Sequence, residues 1–258
     1  MNYNKEYHRN GIVQFDAAKE LIRLLPTKVG RLLDVGCGSG KVAHLIHDHS
    51  SPQTMVAIDV SSEMLEQALR LYPDSPIDFV QADIVDYASE EGFDVITSNS
   101  SFQWYQDYDA ALSAIRTALK SDGIFVLQTP YKQDWCPQVS NLMSEFFRDF
   151  YPQLGQDFRM VCMHLEHESE YREMFESRGF NVISMMPKEF EYSFSGEEFK
   201  QFFMSGAYKV YTSEKSYSLP VPPAFSADLE NFIDERVRSQ QSIEVSISRI
   251  LACFSRDD

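Results

Sequence analysis

The residues best equipped for chemistry stand in the run Arg31-Leu-Leu-Asp-Val-Gly-Cys-Gly-Ser-Gly40. Gly36, Gly38 and Gly40 alternate with other residues directly behind a short apolar stretch. Glycine reaches backbone conformations closed to other residues and leaves room for a ligand to press on the chain. A helix expected to start near Lys41 would offer unpaired N–H groups to a polar or anionic group. Asp59 closes the next apolar run, Met55-Val-Ala-Ile58. An acid at about that distance suits the hydroxyls of a ribose. The dinucleotide pattern G-x-G-x-x-G is not met, because position 41 is Lys; the pattern is D-x-G-x-G-x-G, beginning at Asp34. A dinucleotide site and a purely structural turn are the alternatives.

These residues need a scaffold. Apolar residues at helical spacing, Val13, Ala17, Leu21 and Leu24, predict an amphipathic helix over 13–25, stopped by Pro26. Strands are expected at 31–35, 54–59, 77–81, 93–98 and 124–128, with helices at 41–49, after Ser61 or Ser62, and after Asp107. Ser121-Asp122-Gly123 reads as the turn into the fifth strand. Alternation at this rhythm predicts an α/β fold with right-handed crossovers. After Pro130 the rhythm changes. Residues 134–165 look helical, Glu168–Arg178 is a helix with Gly179 beyond its end, and a sixth strand starts at 180. Residues 195–240 look mostly helical, broken by Leu219-Pro-Val-Pro-Pro223, and Ile243–Phe254 reads as a last strand. The whole is expected to be one domain: a Rossmann-like, doubly wound, seven-stranded, mostly parallel sheet with helical cover inserted late. The core is assigned to 27–130, 166–194 and 241–258, the cover to 1–26, 134–165 and 195–240. The cover is expected to close over the carboxyl ends of the strands, where ligands bind in open α/β sheets.

Composition narrows the partners. The 258 residues hold 23 basic and 39 acidic side chains, a net charge of −16 that repels nucleic acid at long range. A small acid is not excluded, since it needs only local donors. Four cysteines, Cys37, Cys136, Cys162 and Cys253, form no C-x-x-C pair and read as free thiols of a reducing compartment. His44, His47 and His49 read as a partly exposed helix face, and no metal is expected. The polar N-terminus and the lack of a long apolar run predict a cytosolic protein.

Strand, glycine turn, helix, strand and terminal acid, in that order, resemble the cofactor site of class I S-adenosylmethionine methyltransferases. The resemblance implies S-adenosylmethionine as cofactor. Asp34 and the turn Gly36, Gly38, Gly40 would then meet its amino acid end, and Asp59 its ribose. Asp83 and the Ile84 N–H would face the adenine edge, and Val60 and Met64 would sandwich the ring. Asn99, ending the fourth strand, would lie by the methionine part. Each has a plainer alternative: a helix cap for Asp59, a turn for Asp83, ordinary packing for Val60 and Met64. The string Ser98-Asn99-Ser-Ser-Phe102-Gln103-Trp104, the Tyr7 to Gln14 spacing and the glycine turn resemble one branch in particular. It holds trans-aconitate, malonyl carrier-protein and juvenile hormone acid methyltransferases. The likeness is good over residues 1–130 and faint beyond.

That branch methylates carboxylates, and in the hormone-acid enzymes a Gln of the first helix and the Trp after the fourth strand hold the substrate. Gln14 and Trp104 match them. An amide and an indole are neutral donors that orient a carboxylate without locking it in an ion pair. Gln103 stands where the hormone-acid enzymes have His, so their substrate does not carry over. A surface position for Gln14 and a core position for Trp104 are the alternatives. The implied activity is O-methylation of a small or carrier-linked acid. An amine, phenol or carbon acceptor, and a binding module without turnover, are the competing readings. Tyr131, Lys132, Trp135, Tyr192, Phe203, Tyr208 and Lys209 are candidates for the far pocket, where a second substrate carboxylate would want a cation.

Overall fold

The computed structural model describes residues 11–163, 165–238 and 240–257; Tyr7 lies outside them. Seven strands form one sheet in the order β3-β2-β1-β4-β5-β7-β6. They are β1 Arg31–Val35, β2 Thr54–Asp59, β3 Asp78–Gln81, β4 Phe93–Asn99, β5 Leu119–Pro130, β6 Phe180–Phe194 and β7 Ile243–Arg256. The pairs β1·β2, β1·β4, β2·β3 and β4·β5 are parallel, and β7 runs antiparallel to β5. The order reverses at β1 and β4, the switch point where the carboxyl ends of the strands open a crevice.

Helices α1 Ile12–Leu21, α2 Lys41–Ser50, α3 Ser62–Leu71 and α4 Tyr108–Ala118 accompany the first strands. Ser61 caps α3, its hydroxyl oxygen accepting from the Met64 N–H, and Asp107 caps α4 through the Ala110 N–H. Both caps satisfy donors that a helix start leaves open. Later come α5 Pro137–Phe150, α6 Pro152–Asp157, α7 Glu168–Glu176, α8 Gly196–Ser205, α9 Ala207–Tyr211 and α10 Phe225–Val237.

The chain divides into two compact units. The first takes residues 14–132, 165–188 and 249–257 of the described chain. Its core joins Leu21 and Leu25 to Leu32, Ala43, Ile46, Met55, Val95, Val126 and Leu251. Also in this unit, Phe175 of α7 stacks on Phe254 of β7 at 3.8 Å. The second unit takes residues 11–13, 133–163 and 189–248. Its core is aromatic: Phe146 meets Phe225 and Phe232 at 5.4 and 5.3 Å between ring centres. Among the described residues no helix is long and apolar enough to cross a membrane.

Two boundaries differ from the sequence reading, and the last strand has a reason for its imperfect alternation. β5 begins at Leu119, because Leu119 pairs with Phe93 before the register shifts and resumes at Val95 and Ile124. Ser121-Asp122-Gly123 is therefore an irregularity inside a long strand. The helical stretch expected over 134–165 stops at Asp157, whose carboxylate accepts from the Ser218 and Leu219 N–H groups. β7 is buried along most of its length, Ile247–Phe254, so its sequence shows no clean alternation.

Candidate functional site

β1 ends at Val35 and the chain turns at once. The Gly36 and Cys37 N–H groups donate to the Ile58 carbonyl at 2.8 and 3.0 Å, fastening the turn to the end of β2. Gly36, Gly38 and Gly40 have φ of +78, +54 and +79°, the left-handed region. A Cβ on Gly36 would fall 2.3 Å from the Ser101 Cβ. On Gly38 it would meet only Met64 Cε, at 3.5 Å, so this part of the turn faces open space. Ser101 holds the turn from below: its hydroxyl donates to the Val35 carbonyl at 2.7 Å and shares a hydrogen bond with Ser98.

Asp59 is fixed by two backbone donors. The Gly38 N–H reaches Oδ2 at 2.8 Å and the Ser61 N–H reaches Oδ1 at 2.9 Å. Each oxygen keeps a further acceptor site. The Ala82 N–H donates to the Asp59 carbonyl, which draws the loop after β3 alongside. There Asp83 forms the turn allowed for it, Oδ1 accepting from the Val85 N–H at 3.0 Å. Ile84 is buried, Val60 is exposed and Met64 half-buried.

Asp34 is buried beneath the turn. Thr97 Oγ1 donates to its Oδ1 at 2.7 Å. Burial pushes the carboxyl up to about 7, with the Thr97 bond opposing and the Asp59 charge adding to the rise. Strand register explains the grouping. Asp34 lies opposite Ala57 and Thr97, and Asn99 opposite Gln128. Side chains alternate along each strand, so Asp34, Asp59, Thr97, Asn99 and Gln128 share one face at the carboxyl edge.

Asn99 Nδ2 donates to the Gln14 carbonyl at 3.2 Å. Its Oδ1 and the Gln14 Oε1 are both buried without a hydrogen-bond partner. Because Nδ2 must face a carbonyl, the unmet Asn99 atom is an acceptor. Buried polar atoms are almost always paired, so atoms left unmet at this edge point to a ligand.

Beyond β4 the aromatic string separates. Phe102 is core, and Gln103 turns inward: its Nε2 donates to the Ser100 carbonyl and its Oε1 accepts from Thr129. Trp104 is 39% exposed, which removes the core alternative for it.

A family model described as methyltransferase domain matches residues 9–185, well over half the chain. The chain belongs to this family of methyltransferases. It is 28% identical over 203 residues to malonyl-[acyl-carrier protein] O-methyltransferase of Acetivibrio thermocellus, covering 76% of this chain and 71% of that one. To trans-aconitate 2-methyltransferase of Rhodopseudomonas palustris it is 26% identical, covering 58% and 64%. To the same-named protein of Enterobacter sp. strain 638 it is 34% identical, covering 46% of each. The chain thus spans from about half to somewhat under two thirds of these trans-aconitate relatives. Among solved structures, the N-methyltransferase NodS of Bradyrhizobium japonicum WM9 in complex with S-adenosyl-L-homocysteine superposes with a TM-score of 0.52 at 13% identity, covering 95% of this chain and 87% of that one. The [4+2]-cyclase SpnF gives 0.55 at 17% identity, covering 95% and 81%. These two share the fold alone.

This methyltransferase uses S-adenosylmethionine. The residues present fit it: a glycine cradle open at Gly38, a fixed carboxylate at Asp59, and an unmet acceptor at Asn99 for a cationic ligand. Sequence reasoning missed Thr97, Ser101 and Gln128. Ser101 lay inside the quoted string, but only the fold sets it against Gly36. Gln128 carried no sequence signal, because its partner strands lie far along the chain.

Proposed function

We propose that this methyltransferase acts on a carboxylate oxygen of a small or carrier-linked organic acid. The observation that carries the reading is at the end of β4: the Asn99 amide docks on the Gln14 backbone carbonyl, which fixes Gln14 at this edge, and Trp104, a neutral donor five residues on, is exposed. The names of the relatives, a malonyl carrier-protein O-methyltransferase and trans-aconitate 2-methyltransferases, support it.

Bound S-adenosylmethionine supplies an electrophilic methyl on a sulfonium. Asp59 accepts from the ribose hydroxyls with the acceptor sites its two backbone donors leave. Asp83 and the Ile84 N–H take the adenine edge, with Val60 and Met64 against the ring. Asp34, the glycine turn and Asn99 meet the amino acid end. Gln14 and Trp104 donate to the acceptor carboxylate and fix its attitude. A carboxylate is already ionised at neutral pH, so no side chain removes a proton. The protein's contribution is orientation and exclusion of water. The product is a methyl ester. The four cysteines are in keeping with a cytosolic setting.

The test is incubation with methyl-labelled S-adenosylmethionine, mono- and dicarboxylic acids and malonyl carrier protein. A base-labile labelled product is expected. A base-stable one would mean a nitrogen, phenolic oxygen or carbon acceptor, and retained cofactor with no product would mean a binding module. Gln14→Ala and Trp104→Phe should each lower kcat/KM for the acid roughly tenfold or more, the worth of a hydrogen bond to a charged group, with cofactor affinity within about twofold.

A further inference from the structure

Between the strand end that carries Asn99 and the turn that carries Trp104 stands Ser100. Its φ is +55°, in the left-handed region. A non-glycine residue keeps that conformation only where its surroundings hold it, and such residues gather at working sites. Each polar group of Ser100 is held. Its N–H donates to the Gln128 carbonyl at 2.9 Å, and its hydroxyl to Gln128 Oε1 at 2.7 Å. Its carbonyl accepts from Gln103 Nε2 at 2.9 Å. Gln103 is fastened in turn, its Oε1 accepting from the Thr129 hydroxyl at 3.1 Å and its carbonyl from the Tyr108 hydroxyl at 3.0 Å. Gln128 and Thr129 are fully buried, and Gln103 is 6% exposed. The groups around this clamp belong to the site. Asn99 docks on the Gln14 carbonyl, Ser101 braces the glycine turn, and Trp104, next to Gln103, is exposed.

We infer that Gln103 is a positioning residue for the methyl transfer, and that Ser100 and Gln128 complete the device. The two glutamines hold Ser100 left-handed, and the bend there sets where Trp104 stands relative to the end of β4. The inference rests on the proposed role of Trp104 at the acceptor carboxylate and adds what fixes that donor. The Trp104 N–H donates to the Ser101 carbonyl at 2.9 Å, so the direction the chain takes at Ser100 passes directly to the indole. Orientation is what the protein contributes to this reaction, and a reacting group misplaced by about 1 Å can lose on the order of a hundredfold in rate. An exposed side chain is fixed through its backbone, and here that backbone is fixed from the buried side. An apolar residue in place of Gln103 would leave the Ser100 carbonyl without its donor, which is the reason for an amide at a buried position.

The experiment is a double-mutant cycle read two ways. Gln103→Leu should lower kcat/KM for the acid roughly tenfold, the effect of leaving one buried carbonyl unmet, with the KM for S-adenosylmethionine within about twofold. Added to Trp104→Phe, it should cost less than about twofold more, because its effect passes through the indole. Two full losses multiplied in the double variant would make Gln103 a merely structural residue and overturn the inference. The second readout is independent of turnover. The chain has two tryptophans, so Trp135→Phe leaves Trp104 as the single emitter. In that background Gln103→Leu should lower the fluorescence anisotropy of Trp104 and raise its quenching by acrylamide. Unchanged anisotropy would overturn the inference. Thr129→Val and Ser100→Ala each remove one bond of the clamp with little change in volume, and each should move both readouts the same way by a smaller amount. Should Gln103→Leu not fold, these two variants decide by the same criteria. If no acid becomes an ester, the carboxylate reading fails and the anisotropy decides alone: a fall upholds the clamp, and no change overturns it.

Discussion

At the scale of single residues, Asp34 carries the sharpest consequence. Its folded carboxyl titrates near 7 against an ordinary value of 3.8, mainly through burial. Between those values the native protein holds a proton that the unfolded chain has lost. The stability tied to this group is therefore full below about 3.8 and declines as pH rises through about 7. Asp34→Asn has no such slope. Its unfolding free energy should gain on wild type by roughly 3–4 kcal/mol between pH 4 and 8, read by urea titration. A cationic ligand favours the ionised carboxylate, so wild-type affinity for the sulfonium S-adenosylmethionine should be about tenfold weaker at pH 6 than at pH 8. The Asn variant should show a flat profile. A wild-type dissociation constant that does not move over this range would remove Asp34 from the cofactor site. Gln103 teaches the opposite lesson: adjacent to Trp104 in sequence, it spends its amide on Ser100 and Thr129.

At the scale of elements, the glycine turn is a joint between β1, β2 and the segment after β4. Gly36 has φ +78° and would drive a Cβ into Ser101. Gly36→Ala should lose about 2–4 kcal/mol, the sum of a left-handed alanine and an overpacked contact. Adding Ser101→Gly removes the clash but also the hydroxyl's bonds to Val35 and Ser98, so the double variant should recover less than about half of the loss, as measured by thermal unfolding of the two variants. The helix starts were legible from sequence, because a cap is local: Ser61 and Asp107 cap α3 and α4 through N–H groups three residues on. The extent of β5 was not. Whether Ser121-Asp122-Gly123 closes a loop or interrupts a strand depends on Leu119 finding Phe93, a partner 26 residues away.

At the scale of the whole molecule, the two units carry separate cores: the first has an aliphatic cluster around Leu32 and a stacked phenylalanine set around Phe175 and Phe254, and the second is richest in phenylalanine and tyrosine. Both β6 and β7 begin in one unit and end in the other. Phe146→Ala removes a fully buried ring from the aromatic core and should lower stability by about 3–5 kcal/mol in urea unfolding. The net charge sets the long-range field, which disfavours nucleic acid and leaves a small acid dependent on contacts inside the site.

The sequence by itself determined the strand–turn–helix unit, the left-handed glycines and the acid at the end of β2. These follow from conformational preference and spacing within about thirty residues. Asp34, Asp59 and Asn99 were legible for the same reason, each standing at or near the end of an apolar run. The tertiary structure decided what crosses the sheet. Ser101 against Gly36 and the amide of Asn99 against Gln14 both depend on register between strands distant in the chain. Register is chosen by the packing of whole strands, and no short motif records it.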